Sequence, residues 1–271
     1  MKNKTLVLAL AILSASTGGG WAAINTVDET TIAAFGTLNQ ANVGANGNGG
    51  VNNFCAPTAT MDSFIWLANA YPSIYGNSLM GGQGSWLGAA QLLAGPLYMN
   101  TDVNNGTTEG NWVNGKMNYI NTYAPGTTIF AGMDSDNTVN RPAWDLNANP
   151  TVNFLLQELR AGEDVELGID PTTGVGHVLT LTGLTWNDAD NNGGFNLGDT
   201  LTLNTIDPAN PLVNTLLTLN PGNPMTVSGG AYNNYLLTGA LAESIPEPTS
   251  FGLMMLGGLL GLCRLLRWKQ N

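Results

Sequence analysis

Two cysteines, Cys55 and Cys263, are the whole thiol content of this 271-residue chain, so at most one disulfide can help hold its fold. Cys263 abuts an apolar stretch near the C-terminal end, which leaves Cys55 as the one thiol of the central region. The central region therefore has no internal disulfide framework and must be held by an apolar core. Its length suits one domain, and a hydrophobic content of 43% is consistent with a real core.

Residues 1–22 read as a secretory signal. Lys2 and Lys4 precede an apolar run over residues 6–13, small residues follow, and the cut is expected after Gly20-Trp21-Ala22. The run is well short of the ~20 residues that span a bilayer. At the other end, Pro246, Glu247 and Pro248 precede an apolar stretch over residues 251–262 and then Arg264, Arg267 and Lys269. Positive charges stay cytoplasmic, so everything before the stretch is expected outside.

This three-part tail resembles the PEP-CTERM sorting signal. The resemblance implies a Gram-negative, exopolysaccharide-producing bacterium, export across the inner membrane, and a destination at the cell surface or in the extracellular matrix. It also implies an exosortase-type sorting enzyme as partner, with membrane contact through the C-terminal segment before processing. Processing as in that family would remove Cys263 with the tail. The expected organisation is a signal peptide over 1–22, one domain over 23–244 and a sorting signal over 245–271.

From Ile24 to Pro248 the only basic residues are Lys116, Arg141 and Arg160, against all 19 acidic ones, which excludes nucleic acid as a partner. Only 10% of residues are charged and Asn, Gly and Thr abound, a composition common in secreted surface proteins. Residues 36–53 are Gly- and Asn-rich without apolar periodicity and read as a flexible loop leading to Cys55.

After Cys55, apolar Met61, Phe64, Ile65 and Ala68 recur at helical spacing, and Pro57 suits a first helical turn. A thiol at a helix N-terminus is stabilised as the thiolate by unpaired N–H groups and the helix dipole. The other reading of a lone cysteine is a buried structural residue. Further on, Val152, Leu155, Leu156 and Leu159 form one helical face, Gly162 ends it, and residues 165–169 alternate as a strand. His177, the single histidine, then opens HVLTLTGLTW, where Leu179 and Leu181 oppose Thr180 and Thr182. His177 shares the parity of the leucines, so packing of that face on the Cys55 helix would point the imidazole at the thiol. Asp207 ends the following strand, where it can orient the imidazole or merely form a turn before Pro208, with Asn204 as the fallback orienter.

The Cys-Ala-Pro-Thr start at Cys55 resembles the Cys-Gly-Pro-Thr of C39-like members of the papain-like cysteine peptidase superfamily, with Ala56 in place of Gly. The helix, Gly turn, strand and Gly176-His177 opening also resemble that family around its histidine, and Asp207-Pro208 matches its Asp-Pro. Together these cover about half of the exported chain. They imply a papain-like α+β fold, a helical portion from Cys55 to about residue 160 followed by an antiparallel sheet, and a Cys55-His177-Asp207 triad that hydrolyses a peptide or protein substrate. The family's oxyanion glutamine is absent: Gly49 stands at its place with Asn48, Asn52 and Asn53 nearby, and Asn52 is assigned the role. Transglutaminase-like acyl transfer uses the same three groups, and a non-catalytic surface or matrix protein is the rival class.

Between the His177 and Asp207 strands, Asp188, Asp190, Asn192, Gly193, Asn196 and Asp199 occupy positions 1, 3, 5, 6, 9 and 12 of a calcium-loop pattern. Asp199 replaces the usual Glu and the flanks read as strands, so a calcium-stabilised hairpin loop is expected, or a solvated Asn/Gly-rich tip. No zinc site fits, with one histidine and no cysteine nearby. No organic cofactor is expected.

Overall fold

The structure, a computed structural model, describes residues 23–44, 53–135, 140–172, 174–192, 195–196 and 198–245. The signal over 1–22, Asn48, Gly49, Asn52, Gly193, the motif Pro246, Glu247 and Pro248, and Cys263 lie outside the described residues.

The alternating runs of the second half form strands. These are β4 (Asp164–Asp170), β5 (His177–Asp188), β6 (Thr200–Ile206), β7 (Asn214–Asn220), β8 (Thr226–Gly229) and β9 (Tyr232–Ser244). Each pairs antiparallel with the next, and β4 pairs with both β5 and β9, so the six close into a barrel. Further strands extend the sheet outside the ring: β1 (Ala23–Asp28) lies on β5, while β2 (Ile129–Asp134) pairs with β9 and carries the short β3 (Asp145–Leu146).

A closed, β-rich barrel overturns the expected papain-like α+β domain. Two features of the sequence conceal it. Strand β2 falls inside the stretch read as helical, and its six residues IFAGMD contain a glycine that blurs any period. Closure depends on β4 having two partners, at Val165↔Leu181 on one side and Val165↔Ala242 on the other, and a strand's own alternation does not say who its neighbours are.

The helices are α1 (Gln40–Gly44), α2 (Cys55–Ala70), α3 (Trp86–Ala94), α4 (Glu109–Tyr123) and α5 (Val152–Ala161). Helix α5 ends on Gly162 in the left-handed conformation, φ 76°, and packs Leu155, Leu156 and Leu159 onto the core built from Leu167, Leu179, Leu203 and Leu217 of the barrel. A second core joins α2, α3 and α4 to the outer barrel face through Phe64, Trp66, Leu93, Trp112 and Val178. Helix α2 lies between its neighbours with nearly every side buried, Thr60, Asp62 and Ser63 included, as suits an apolar helix with no solvent face.

The leucine face of β5 therefore points into the barrel, and α2 rests on the opposite face, where Thr180 Oγ1 donates to Ala59 O at 3.0 Å. His177 still reaches the thiol because it stands at the strand's first residue, at the rim where α2 also begins.

Helix α4 ties this rim to a buried charge cluster. Trp112 lays its ring on Gly168 of β4 and Gly239 of β9, where an added Cβ would lie 3.1 and 3.0 Å from the ring. One turn on, Lys116 is fully buried and ion-paired with Glu166 and Glu243. Asp164 completes the cluster, with an oxygen of each of the three carboxyls within 4.8 Å of the others, and burial beside these acids raises the carboxyls of Asp164 and Glu243. No helix among the described residues is long and apolar enough to cross a membrane.

Candidate active site

Cys55 is the first residue of α2, and Phe54 precedes it at the cap position. Phe54 O accepts from Thr58 N at 3.2 Å and Thr58 Oγ1 at 2.6 Å, closing the first turn, and Pro57 there has no N–H to leave unpaired. The half-buried Cys55 sulfur accepts hydrogen bonds from the N–H of Ala56 in its own helix and of Val178 in β5. Helix start and strand start are thus bonded at the same sulfur.

From the thiol a chain of contacts runs through three more side chains. His177 hydrogen-bonds Cys55, and its Nε2 lies 2.9 Å from Asp207 Oδ1. Asp207 follows β6 and is fixed on both oxygens: Oδ1 accepts from Ala209 N at 2.8 Å and Oδ2 from Tyr232 Oη at 2.6 Å. The Tyr232 ring also stacks on the imidazole, with centroids 5.6 Å apart and planes at 28°. Asn204, the fallback orienter, lies within β6, and its O accepts from Thr182 Oγ1.

The electrostatics favour a thiolate–imidazolium pair. Burial pushes the Cys55 thiol up, but the bond to His177, its charge and the two backbone N–H groups outweigh burial and hold it below the usual thiol range. Burial likewise opposes charge on His177, yet the bonds to Asp207 and Cys55 carry its pKa up to about 10. For Asp207, burial is again overcome, by His177, Tyr232 and the Ala209 N–H, and the carboxyl stays below its ordinary value.

The thiol opens onto a cleft of about 500 Å³, walled by residues 105–109 leading into α4, by Gly174, Val175 and Gly176 ahead of β5, and by Tyr232 and Tyr235 of β9. Two asparagine amides reach this wall and both are engaged. Asn53 Nδ2 donates to Val103 O at 3.0 Å and Asn104 O at 2.8 Å, and Asn105 Nδ2 donates to Asp102 Oδ1 at 3.0 Å. Asn52 lies outside the described residues.

No protein-family model matches the chain, and comparison with characterised proteins gives no significant match.

Sequence reasoning finds three of the four linked side chains and misses Tyr232, which heads the last strand like any strand aromatic. It also misses Asp170, at the end of β4 beside the cleft, whose Oδ2 accepts from Thr238 Oγ1 at 2.9 Å. A clue lies in Gly176: a Cβ there would overlap the Asp170 carboxylate, so the residue before the histidine has to be small.

The acidic β5–β6 turn is a separate feature. Oxygens of Asp188, Asp190 and Asp199 lie within 4.8 Å of one another, the convergence a hard cation needs. The same carboxylates accept hydrogen bonds from the turn itself, Asp188 from Asn192 N at 3.0 Å and Asp199 from Ala189 N at 2.9 Å and Asn196 N at 2.8 Å. Asn192 and Asn196 turn their amide nitrogens toward Asp190, at 2.9 and 3.0 Å.

Proposed function

We propose that the chain is an exported thiol hydrolase that cleaves a peptide bond in a peptide or protein substrate, with Cys55 as nucleophile, His177 as acid and base, and Asp207 as orienter. The observation that carries this reading is the unbroken chain Cys55–His177–Asp207–Tyr232 at the mouth of a cleft. The thiolate attacks the scissile carbonyl carbon and the carbonyl electron pair moves to oxygen. His177 gives its proton to the departing amine, and a water that loses a proton to His177 then releases the acid from the thioester. Pro57 has no N–H, Thr58 N is held by Phe54 O and the Ala56 N–H serves the sulfur, so in this reading the Cys55 N–H is the helix-start donor assigned to the developing oxyanion. An amine in place of water would make the same intermediate serve acyl transfer.

The rest of the reading places the protein at the cell surface or in the matrix after export and exosortase-type sorting through the tail. Calcium is proposed as a structural ligand of the β5–β6 turn, apart from the steps above.

A non-catalytic surface protein is the second reading, favoured by one observation: Asn53 beside the thiol donates both amide N–H groups to backbone carbonyls, and the Asn105 amide is tied to Asp102, so neither is aimed as the side-chain donor that usually completes an oxyanion hole. The test is turnover of a mixed peptide library read by mass spectrometry, beside Cys55→Ala and His177→Ala. New termini that vanish in both variants support the hydrolase. A library untouched by the wild-type chain, with Cys55 alkylated only near the ordinary thiol pKa of ~8.5, leaves the second reading standing.

A further inference from the structure

The cleft is one-sided in charge. Among its lining residues are two carboxylates, Asp170 and Glu109, and no lysine or arginine. The three basic residues between the chain's two ends are committed elsewhere. Lys116 is sealed among Glu166 and Glu243, Arg141 pairs with Asp145 at 3.2 Å, and Arg160 sits 5.6 Å over the Trp186 ring. The one basic side chain among the lining residues is His177, already paired with Asp207.

Asp170 is placed with care. Ile169 is the strand partner of His177, so Asp170 stands at the rim next to the histidine. Thr238 holds one carboxylate oxygen, and the other rests against the backbone of Gly176 in the space a side chain would take. Glu109 lines the same cleft from the first turn of α4, next to the Thr108 cap. Two carboxylates that line one cleft together with Tyr235 form a receptor for a positively charged side chain: charge from the carboxylates, and an aromatic ring that attracts a cation.

We propose that the cleft selects substrates carrying a cationic side chain, lysine- or arginine-like, next to the scissile bond, with Asp170 and Glu109 as the specificity-determining residues. The proposal rests on the reading of Cys55 as an activated nucleophile.

Three methanethiosulfonates of similar size test it, one bearing an ammonium, one a sulfonate and one neutral, each rate being normalised to that with free cysteine. The thiolate displaces methanesulfinate and forms a mixed disulfide, followed by mass spectrometry on the Cys55 peptide of the full chain at pH 6.5. The expected result is fast neutral labelling with a cation-over-anion preference of about tenfold or more, falling toward one in Asp170→Asn and Glu109→Gln. Fast neutral labelling with no charge preference overturns the specificity and leaves the nucleophile standing. A preference that persists unchanged in both variants also overturns it, since it then comes from the acidic molecule as a whole. Slow labelling by all three reagents overturns the nucleophile and the specificity together.

Discussion

Tyr232 is the residue through which the site can be tuned without touching thiol or imidazole. Its hydroxyl stabilises the ionised form of Asp207, and its ring covers one face of His177. In Tyr232→Phe the ring stays and the bond goes, so the Asp207 pKa moves up and the acid limb of Cys55 alkylation moves to higher pH. A buried hydrogen bond to a charge is worth about 1.5–3 kcal/mol, and urea unfolding should register a loss of that order. An unmoved acid limb would show that Asp207 does not depend on Tyr232. Cys55, His177 and Asp207 are legible in the sequence because each stands at an element boundary that capping or alternation marks. Tyr232 is invisible there because its partner is 25 residues away and nothing local distinguishes it.

At the scale of elements, the β5–β6 turn and helix α4 each concentrate charge. Calcium at ten millimolar, roughly ten to a hundred times the dissociation constant of weak extracellular sites, should stabilise the chain by ~1.4–2.7 kcal/mol over chelator. The gain in Tm should disappear in Asp190→Asn, and equal Tm in calcium and chelator would mean that the turn's own hydrogen bonds suffice. In α4, Lys116→Met removes the one cation facing Glu166, Glu243 and Asp164. Breaking such a buried pair costs about 3–5 kcal/mol. The loss in urea midpoint should be larger at pH 8 than at pH 5, where the stranded carboxyls can take up protons, and a loss independent of pH would refute the charge account. The helical face of α5, the break at Gly162 and the alternation of β5 are written in the sequence. Which face of β5 meets α2 is not, since leucines fill the barrel and threonines meet the helix, and both faces end up dry.

Over the whole molecule, buried acids outnumber any compensating charge. Burial, with Asp28 and Glu163 nearby, carries Glu29 up to about 8, and burial also raises Asp62, Glu163, Asp164 and Glu243. Groups raised on folding bind protons more tightly in the native state, so their contribution is complete below the unfolded carboxyl pKa of ~4 and is lost as pH rises through the folded values. Asp207 and Cys55 act in the opposite sense, and for Asp207 the loss comes only at acid pH. The urea midpoint should therefore fall steadily between pH 5 and pH 9, and a midpoint that climbs over that interval would mean these carboxyls are ionised in the native state.

Closure of the barrel also limits how a guest can be held. Beside the cleft, β4 has β5 and β9 as neighbours along its length, so an extended peptide cannot join the sheet there as one more strand. It must be gripped by side chains and by the two segments at 105–109 and 174–176, which carry none of the ring's ladder bonds. Apart from Gly176, those segments can drift in sequence while the ring stays as it is, so a gene for this fold could change its diet without relearning how to fold.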